Sequence, residues 1–250
     1  MDRIDIKYFT DPLCCWSWAL EPQWRKLIFQ YKDHLTWQYV LGGLIPSWNG
    51  FVDNINSVSR PAQMGPLWMH AQQLSGMPMA HRIWIENAPA SSFPPCVAIK
   101  SAALQSNRYG ESLLRKLREF CHLKGKNICD TTVICDAAAE LATQHPSFQM
   151  QKFLEDFQGK NGQDSFREDW KETKRWDINR FPTLILNKGT NTIQISGYRS
   201  FDALRKAFCY LDPLLENVPF SSDIREYREF WGTLLPREES EFFSGTEVQA

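Results

Sequence analysis

The sequence lacks an excess of charge of either sign. It has 28 lysine and arginine residues against 29 aspartate and glutamate residues, a formal net charge of −1. It also lacks any run of about 18 consecutive apolar residues, so no membrane-spanning helix is expected. The N-terminus lacks the basic and long apolar regions of a signal peptide. These absences argue against nucleic acid and against a membrane as partners.

The seven cysteines lack the even number and the regular spacing of a disulfide framework. Together with the missing signal peptide, this favours a reducing, cytoplasmic compartment. A further absence concerns metal. Cys121, His122, Cys129 and Cys135 follow none of the usual zinc-ligand spacings, so no metal site is predicted.

The most informative stretch that is present is Asp-Pro-Leu-Cys-Cys-Trp-Ser-Trp at residues 11–18. The apolar run Ile4–Thr10 precedes it and an amphipathic run, residues 18–31, follows it, which places Cys14 at a helix start. Free N–H groups there stabilise a thiolate, so Cys14 is predicted to be an activated nucleophile. Ser17 occupies the position at which a Cys-x-x-Cys site carries its second sulfur. A serine can donate a hydrogen bond to the thiolate, but it cannot resolve a mixed disulfide.

The remaining chain alternates strand and helix signals around a long helical block. Residues 36–41 read as a second strand, which makes the first part a βαβ unit with a parallel pair. Helical periodicity dominates residues 61–176. Two runs at 182–186 and 192–195 then predict a β-hairpin, and residues 201–211 predict a helix. Ser200 and Asp223 are candidate N-caps of two later helices. Residues 236–250 are acidic and polar, which is typical of a mobile tail.

Three motifs carry a family resemblance. Asp-Pro-x-Cys-x-x-Ser-Trp at residues 11–18, Gly-Gly-Leu at 42–44 and Phe-Pro-Thr at 181–183 together resemble the DsbA-like thioredoxin-fold family. The likeness is to its cytoplasmic, FrnE-like branch of predicted protein-disulfide isomerases, and it covers roughly residues 3 to 211. The departure from the pattern is Ser17, which stands where the family has cysteine.

The resemblance implies an α/β protein with a thioredoxin fold and a large inserted α-helical domain. The thioredoxin-fold domain would comprise residues 1–58 and 177–212, and the inserted helical domain residues 59–176. Residues 213–250 lie outside the resemblance and are expected to form a C-terminal extension, a helix followed by a mobile tail.

The resemblance also implies roles at the matched positions. Cys14 matches the nucleophilic cysteine, and Pro182 matches a cis-proline that faces it across the site. Phe181, and with it Thr183, would present backbone to a bound thiol ligand, and Trp16 and Trp18 are candidate substrate-binding aromatics. Three outcomes remain open for Cys14. An external thiol such as glutathione resolves it, Cys15 resolves it through a strained vicinal disulfide, or the site has kept only binding.

The first function hypothesis is therefore a thiol–disulfide oxidoreductase that uses one cysteine, with glutathione as a co-substrate and no tightly bound cofactor. Its partner would be a thiol- or disulfide-bearing protein or small molecule, and the oligomeric state is open.

Kappa-type glutathione transferases and hydroxychromene carboxylate isomerases give an alternative, because Ser17 and its aromatic neighbours match their turn. Ser91 and Ser92, before a helix, would then hold a glutathione carboxylate. A methionine cluster at residues 64–79 is a candidate groove wall. A third hypothesis is a non-enzymatic protein-binding adaptor, because a further relative delivers a transcription regulator for proteolysis.

Overall fold

The computed structural model describes residues 3–244. A four-stranded sheet is formed by β1 (Ile4–Thr10), β2 (Leu35–Leu41), β3 (Thr183–Lys188) and β4 (Asn191–Ser196) in the order β2-β1-β3-β4. The first two strands run parallel, and the other pairs are antiparallel. The predicted βαβ unit and hairpin are thus confirmed. Because β1 and β3 are the central strands, the turn after β1 and the loop before β3 meet at the same end of the sheet.

The helical run after β1 is divided in two. Its first part, α1 (Cys15–Ala19), ends at Leu20, and α2 (Glu21–Tyr31) begins directly afterwards. Pro22 lies in the first turn of α2, where its missing N–H would have no partner within the helix in any case. The proline therefore lies at a break between two helices and not inside one continuous helix. One face of α2 packs on the sheet with a set of apolar side chains: Leu20, Trp24, Leu27 and Ile28 against Ile4, Ile6 and Tyr8.

Between β2 and β3 the chain is helical. The elements are α3 (Met64–Ser75), α4 (Ile83–Glu86), α5 (Phe93–Ala103), α6 (Asn107–His122), α7 (Thr131–Gln144), α8 (Met150–Gln158) and α9 (Lys160–Arg175). They enclose a second apolar core that includes Trp68, Trp84, Leu117 and Phe120. This confirms the α/β fold with a large helical insertion.

Two helices follow the hairpin with the predicted caps. In α10 (Phe201–Leu211) the Ser200 hydroxyl accepts the N–H of Ala203 at 3.3 Å. In α11 (Ile224–Trp231) the Asp223 carboxylate accepts the N–H of Arg225 at 2.8 Å. A 3₁₀ turn at Pro213–Asn217 joins the two helices. Both caps follow from short polar side chains that satisfy free N–H groups at a helix start.

The mobile tail predicted from residue 236 is wrong for most of its length. Residues 236–243 form α12 (Pro236–Phe243), and residues 245–250 lie outside the described part of the chain. Glu238, which composition alone would assign to solvent, is fully buried between Arg25 and Arg115. Phe242 stacks on Tyr227 with ring centroids 4.5 Å apart. Buried ion pairing and aromatic packing thus order a segment whose acidic composition is typical of disorder.

Two negative findings apply to residues 3–244. None of their helices is both long and apolar enough to cross a membrane. Within the same residues, no three histidine, cysteine, aspartate or glutamate side chains come together in a way that could hold a metal ion.

Candidate functional site

Cys14 lies where the two halves of the sheet meet. It is the N-cap of α1, and its Sγ accepts the N–H of Ser17 at 3.4 Å. The same thiol points at the backbone carbonyl of Phe181, with Sγ 3.6 Å from the oxygen. The peptide bond between Phe181 and Pro182 is cis. A cysteine at a helix start and a loop 167 residues further along the chain therefore form one site.

The Cys14 thiol is buried, with 5% of its surface exposed. Burial raises the pKa of Cys14 above its ordinary value, and the nearby Asp11 carboxylate raises it further. The hydroxyl and N–H of Ser17, together with Arg118, lower this pKa but do not reverse the effect of burial. Burial therefore opposes the activation of this thiol, which stays a prediction. The helix start contributes as expected, but removal of the thiol from water costs the thiolate more.

A layer of buried polar groups lies beneath the thiol. Ser17 and Tyr8 are fully buried, and neither hydroxyl has a partner in hydrogen-bond geometry among residues 3–244. The Ser17 hydroxyl is still close enough to lower the pKa of both Cys14 and Tyr8. Arg118 is buried in the same layer and donates to Glu21 and to the Thr10 hydroxyl. It is the guanidinium that helps to stabilise a negative charge on Cys14.

Asp11 joins the Cys14 turn to the loop after β2. Its carboxylate accepts the N–H of Leu13 at 2.9 Å and the N–H of Leu44 at 2.7 Å. The thiol of Cys96, on α5, donates to the same carboxylate at 3.6 Å. Burial raises the pKa of Asp11 to about 6, although the two backbone N–H groups oppose that rise. From the sequence, Asp11 is either a turn residue or a charge that opposes the Cys14 thiolate. Its contacts with Leu44 and Cys96 come from distant segments, so the sequence could not show them.

A groove opens beside Cys14. It is lined by Cys14, Cys15, Trp16, Leu44, Phe51, Asp53, Ile55, Asn56, Met64, Leu67, Asn179, Arg180 and Phe181. Its cavity volume, taken as the space open to the centres of water molecules, is about 40 Å³. One wall is the segment 51–58, where Asp53 pairs with Val58 and its carboxylate accepts the N–H groups of Ile55 and Asn56. The irregular sequence of this wall gave no periodic signal, so sequence reasoning missed it.

The predicted aromatic and neighbouring residues divide between groove and core. Trp16 and Phe181 line the groove. Trp18 does not, because it is fully buried, stacks on His122 at 5.3 Å and donates to the carbonyl of Pro78. Thr183 is also buried, and its hydroxyl donates to a backbone carbonyl at 2.7 Å. Trp18 and Thr183 are therefore corrected from substrate-binding to structural residues.

Cys15 borders the groove but packs into the core of the helical insertion, with 2% of its surface exposed. Burial raises the pKa of Cys15 well above its ordinary value, and the neighbouring Cys14 adds to the rise. Among residues 3–244, every cysteine is a free thiol. Cys15 is thus poorly placed to attack a mixed disulfide formed on its neighbour.

Ser91 and Ser92 do not reach the groove. The Ser92 hydroxyl accepts the N–H of Ile45 at 3.0 Å, and the Ser91 hydroxyl donates to the carbonyl of Ile45 at 3.0 Å. The loop after β2 therefore occupies the start of α5, and Ser92 is fully buried. The expectation that these serines hold a glutathione carboxylate is corrected. Of the methionine cluster, only Met64 lines the groove. The others do not: Met77 and Met79 are buried, and Met69 is exposed elsewhere on α3.

A parallel β1–β2 pair, a helical insertion and a cysteine at a helix start opposite a cis-proline define a thioredoxin-type protein. A family model described as thioredoxin matches residues 8–206. The chain belongs to this thioredoxin family. The matched part ends within α10, so α11 and α12 lie beyond it.

Comparison with curated proteins finds relatives named ClpXP adapter protein SpxH. The protein from Shouchella clausii is 30% identical over 206 residues, which cover 79% of this chain and 63% of the relative. The protein from Halalkalibacterium halodurans is 28% identical over 198 residues, which cover 78% of this chain and 63% of the relative. The chain thus spans less than two thirds of the length of these relatives.

Solved structures share the fold at low identity. A proposed protein disulfide isomerase from Nitrosomonas europaea matches with a TM-score of 0.68 and 19% identity, covering 87% of this chain and all of the other. The cytosolic disulfide reductase DsbM from Pseudomonas aeruginosa matches with a TM-score of 0.59 and 17% identity, covering 91% of this chain and 96% of its own. DsbM has also been solved with glutathione. A 2-hydroxychromene-2-carboxylate isomerase matches with a TM-score of 0.57 and 14% identity, covering 87% of this chain and all of its own.

Proposed function

We propose that this chain uses Cys14 as a single thiol in mixed-disulfide exchange with an external thiol partner. The observation that carries the proposal is the placement of Cys14 Sγ, at the start of α1 and 3.6 Å from the Phe181 carbonyl beside a cis peptide bond. Ser17 supplies its N–H to the thiol but offers no second sulfur. Cys15, the nearest other thiol in sequence, packs into the core.

The exchange has two balanced steps. The Cys14 thiolate attacks one sulfur of the partner's disulfide, the Cys14–sulfur bond forms, the old S–S bond breaks and the other sulfur leaves as a thiolate. A thiolate from outside the chain then attacks the partner's sulfur, and Cys14 leaves. Because its pKa is raised, only a small fraction of Cys14 is thiolate at neutral pH, and Cys14 is a slow leaving group. The mixed disulfide is consequently long-lived.

Glutathione is the external thiol that we propose as co-substrate. A fold relative, DsbM, has been solved with it. The groove beside Cys14 is where the cysteine of glutathione would reach the thiol. A protein that depends on free glutathione as a reductant belongs in a reducing compartment, and we therefore keep the cytoplasmic assignment as part of this proposal.

Intact-mass measurement after incubation with oxidised glutathione tests the proposal. The wild-type chain should gain one glutathione, and peptide mapping should locate it at Cys14. The Cys15→Ser variant should gain the same adduct, whereas Cys14→Ser should gain none there. A wild-type chain that stays unmodified at pH 9, or that instead forms a Cys14–Cys15 disulfide, would overturn the single-thiol proposal.

A second candidate is a protein-binding adaptor. Curated relatives covering four fifths of this chain carry the name ClpXP adapter protein. Beside the groove, Val52 and Ile55 expose 62% and 55% of their surfaces, which is typical of a protein-binding edge.

Titration of the chain against ClpX by calorimetry tests the adaptor candidate. Binding that persists in Cys14→Ser, and that weakens at least about ten-fold when Val52 and Ile55 are both changed to Asp, would favour it. Absence of binding in the wild-type chain would leave thiol exchange as the one proposal supported.

The transferase or isomerase alternative has less support. Ser91 and Ser92 are hydrogen-bonded to the loop after β2, and the likeness to the isomerase shows the fold alone.

A further inference from the structure

Two arginines cover the same glycine at one end of the groove. Gly197 has a positive φ of 79°, and its N–H donates to the carbonyl of Pro182 at 2.7 Å. A side chain at Gly197 would lie 3.5 Å from Cζ of Arg180 and 3.7 Å from Nη1 of Arg199. The two guanidinium groups are therefore neighbours over the loop that carries the cis-proline.

This pair is connected to the Cys14 groove. Arg180 itself lines the groove, directly before Phe181. Tyr198, which precedes Arg199, contacts the groove residue Trp16 with ring centroids 6.4 Å apart. A ligand whose sulfur meets Cys14 would thus have its neighbouring groups beside the two arginines.

Neither arginine has an anionic partner in the part of the chain that the structure describes. Within residues 3–244, no carboxylate forms an ion pair with Arg180 or Arg199, although other exposed arginines such as Arg167 and Arg175 form such pairs. Nη1 of Arg199 donates to the carbonyl of Tyr198 at 2.8 Å, and the side chain of Arg180 makes no hydrogen bond with a described residue. Two adjacent cations without a counter-charge repel each other, and an anion between them removes that cost.

We infer that Arg180 and Arg199 form a carboxylate-binding subsite that selects thiol ligands carrying a carboxylate near the sulfur. The inference rests on the proposed thiol exchange at Cys14 and extends it to the choice of partner. The guanidinium fork matches a carboxylate with two parallel hydrogen bonds, which gives orientation as well as attraction. Glutathione, with two carboxylates, supplies this chemistry, and so does a cysteine flanked by aspartate or glutamate in a polypeptide.

A charge series of small disulfides tests the subsite. We expect Cys14 of the wild-type chain to react fastest with anionic oxidised glutathione, more slowly with neutral hydroxyethyl disulfide and slowest with cationic cystamine. The ratio of rates is the readout, because it cancels any change in the intrinsic reactivity of Cys14. In the Arg180→Gln/Arg199→Gln variant, the ratio of the rate with oxidised glutathione to the rate with hydroxyethyl disulfide should fall about three-fold to ten-fold. In the Arg180→Glu/Arg199→Glu variant, Cys14 should react faster with cystamine than with oxidised glutathione.

The matched control removes two exposed arginines that lie away from the groove and already have carboxylate partners. In the variant Arg82→Gln/Arg167→Gln the net charge changes equally, and the rate ratios should stay at the wild-type value. Wild-type ratios in Arg180→Gln/Arg199→Gln, or an equal change in the control, would overturn the subsite.

A non-covalent measurement separates failure of the subsite from failure of the proposed exchange. S-methylglutathione cannot form a disulfide, so calorimetry with it reports the subsite even if Cys14 reacts with nothing. Binding should weaken about three-fold to ten-fold in Arg180→Gln/Arg199→Gln and be unchanged in Cys14→Ser. If the wild-type chain binds no S-methylglutathione and shows no charge preference, the subsite is refuted.

The source of the carboxylate is decided by a further pair of reagents. A short peptide disulfide with acidic residues on both sides of its cysteine is compared with oxidised glutathione at equal concentration. A faster reaction with the acidic peptide that depends on both arginines assigns the subsite to a polypeptide partner. A faster reaction with glutathione assigns it to the small thiol.

Discussion

The Cys14 groove and the charged seam beneath α12 differ in how completely their polar groups are paired. We define the charged seam as Glu21, Arg25, Arg115, Arg118 and Glu238. In the seam, Glu238 accepts two hydrogen bonds from Arg115, one from Arg25 and one from the N–H of Leu235. Burial alone would raise the pKa of Glu238, but Arg25 and Arg115 lower it below its ordinary value.

In and beneath the groove, some polar groups have no hydrogen-bond or ion-pair partner among residues 3–244. Within residues 3–244, the hydroxyl of Ser17 has no partner in hydrogen-bond geometry and Arg180 forms no ion pair with a carboxylate. Apart from Nε of Arg118, which is buried without a partner among residues 3–244, the charged groups of the seam are paired, whereas the Ser17 hydroxyl beneath the groove is not. This difference indicates which region holds the fold and which one binds, and substitutions can test it.

The largest effect is expected in the seam. Glu238→Ala leaves two guanidinium groups buried without this partner, so it should lower the free energy of unfolding by about 3–5 kcal/mol. Urea unfolding followed by circular dichroism measures the change. Glu239→Ala is the matched control, because Glu239 pairs with Arg228 at the exposed surface and should matter by about 0–1 kcal/mol. Equal effects in the two variants would contradict the role assigned to the seam.

The next effect concerns pH and Asp11. Its pKa is about 6 in the folded protein against an ordinary value of 3.8, so between these values the unfolded chain loses a proton that the folded protein keeps. Stability attributable to Asp11 therefore falls as the pH rises from 4 to 7, by about 2–3 kcal/mol. Asp11→Asn cannot titrate, so the difference in unfolding free energy between wild type and variant isolates this contribution. A difference that is constant across this pH range would refute the raised pKa.

A third substitution should convert the site itself. Ser17→Cys supplies the missing second sulfur, so a mixed disulfide on Cys14 should resolve within the chain and insulin reduction should rise at least about ten-fold. The double variant Ser17→Cys/Cys15→Ser should behave alike, because Cys15 packs into the core. Robust insulin reduction by the wild-type chain would instead show that Cys15 already resolves.

The smallest effect is expected for Ser17→Ala. The Ser17 hydroxyl lowers the pKa of Cys14, so its removal should raise that pKa and slow alkylation of Cys14 by iodoacetamide at pH 8 by about three-fold. In the wild-type chain the alkylation rate should still be rising at pH 9, because burial raises the pKa of Cys14. Ser59→Ala, an exposed serine, serves as the control. A rate that is already constant at pH 7 would show that the thiol is ionised and that its burial does not control it.

The sequence predicts the fold well because strands and helices leave local, periodic signals. The motifs at residues 11–18 and 181–183 also identify the two sides of the site before any contact is known. What the sequence could not show is the balance between opposing effects at one atom. The start of α1 favours a thiolate at Cys14, but burial by distant segments decides the direction of its pKa.

Side-chain partners from remote segments account for the other misses. Trp16 and Trp18 are two residues apart in one short helix, so one lines the groove while the other stacks on His122 in the core. Glu238 lies in an acidic stretch that composition assigns to solvent, and only Arg25 and Arg115, from α2 and α6, explain its burial. None of these partners could be paired from a single sequence.

Gly42 has a consequence for how related sequences can change. A side chain at position 42 would place its first carbon 1.9 Å from Cζ of Phe181, so the aromatic ring fills the space that any other residue would need. The side chains at positions 42 and 181 therefore compete for the same space, between the end of β2 and the cis-proline loop. In an alignment of homologues we expect them to covary, with larger residues at position 42 found only where position 181 carries a smaller one.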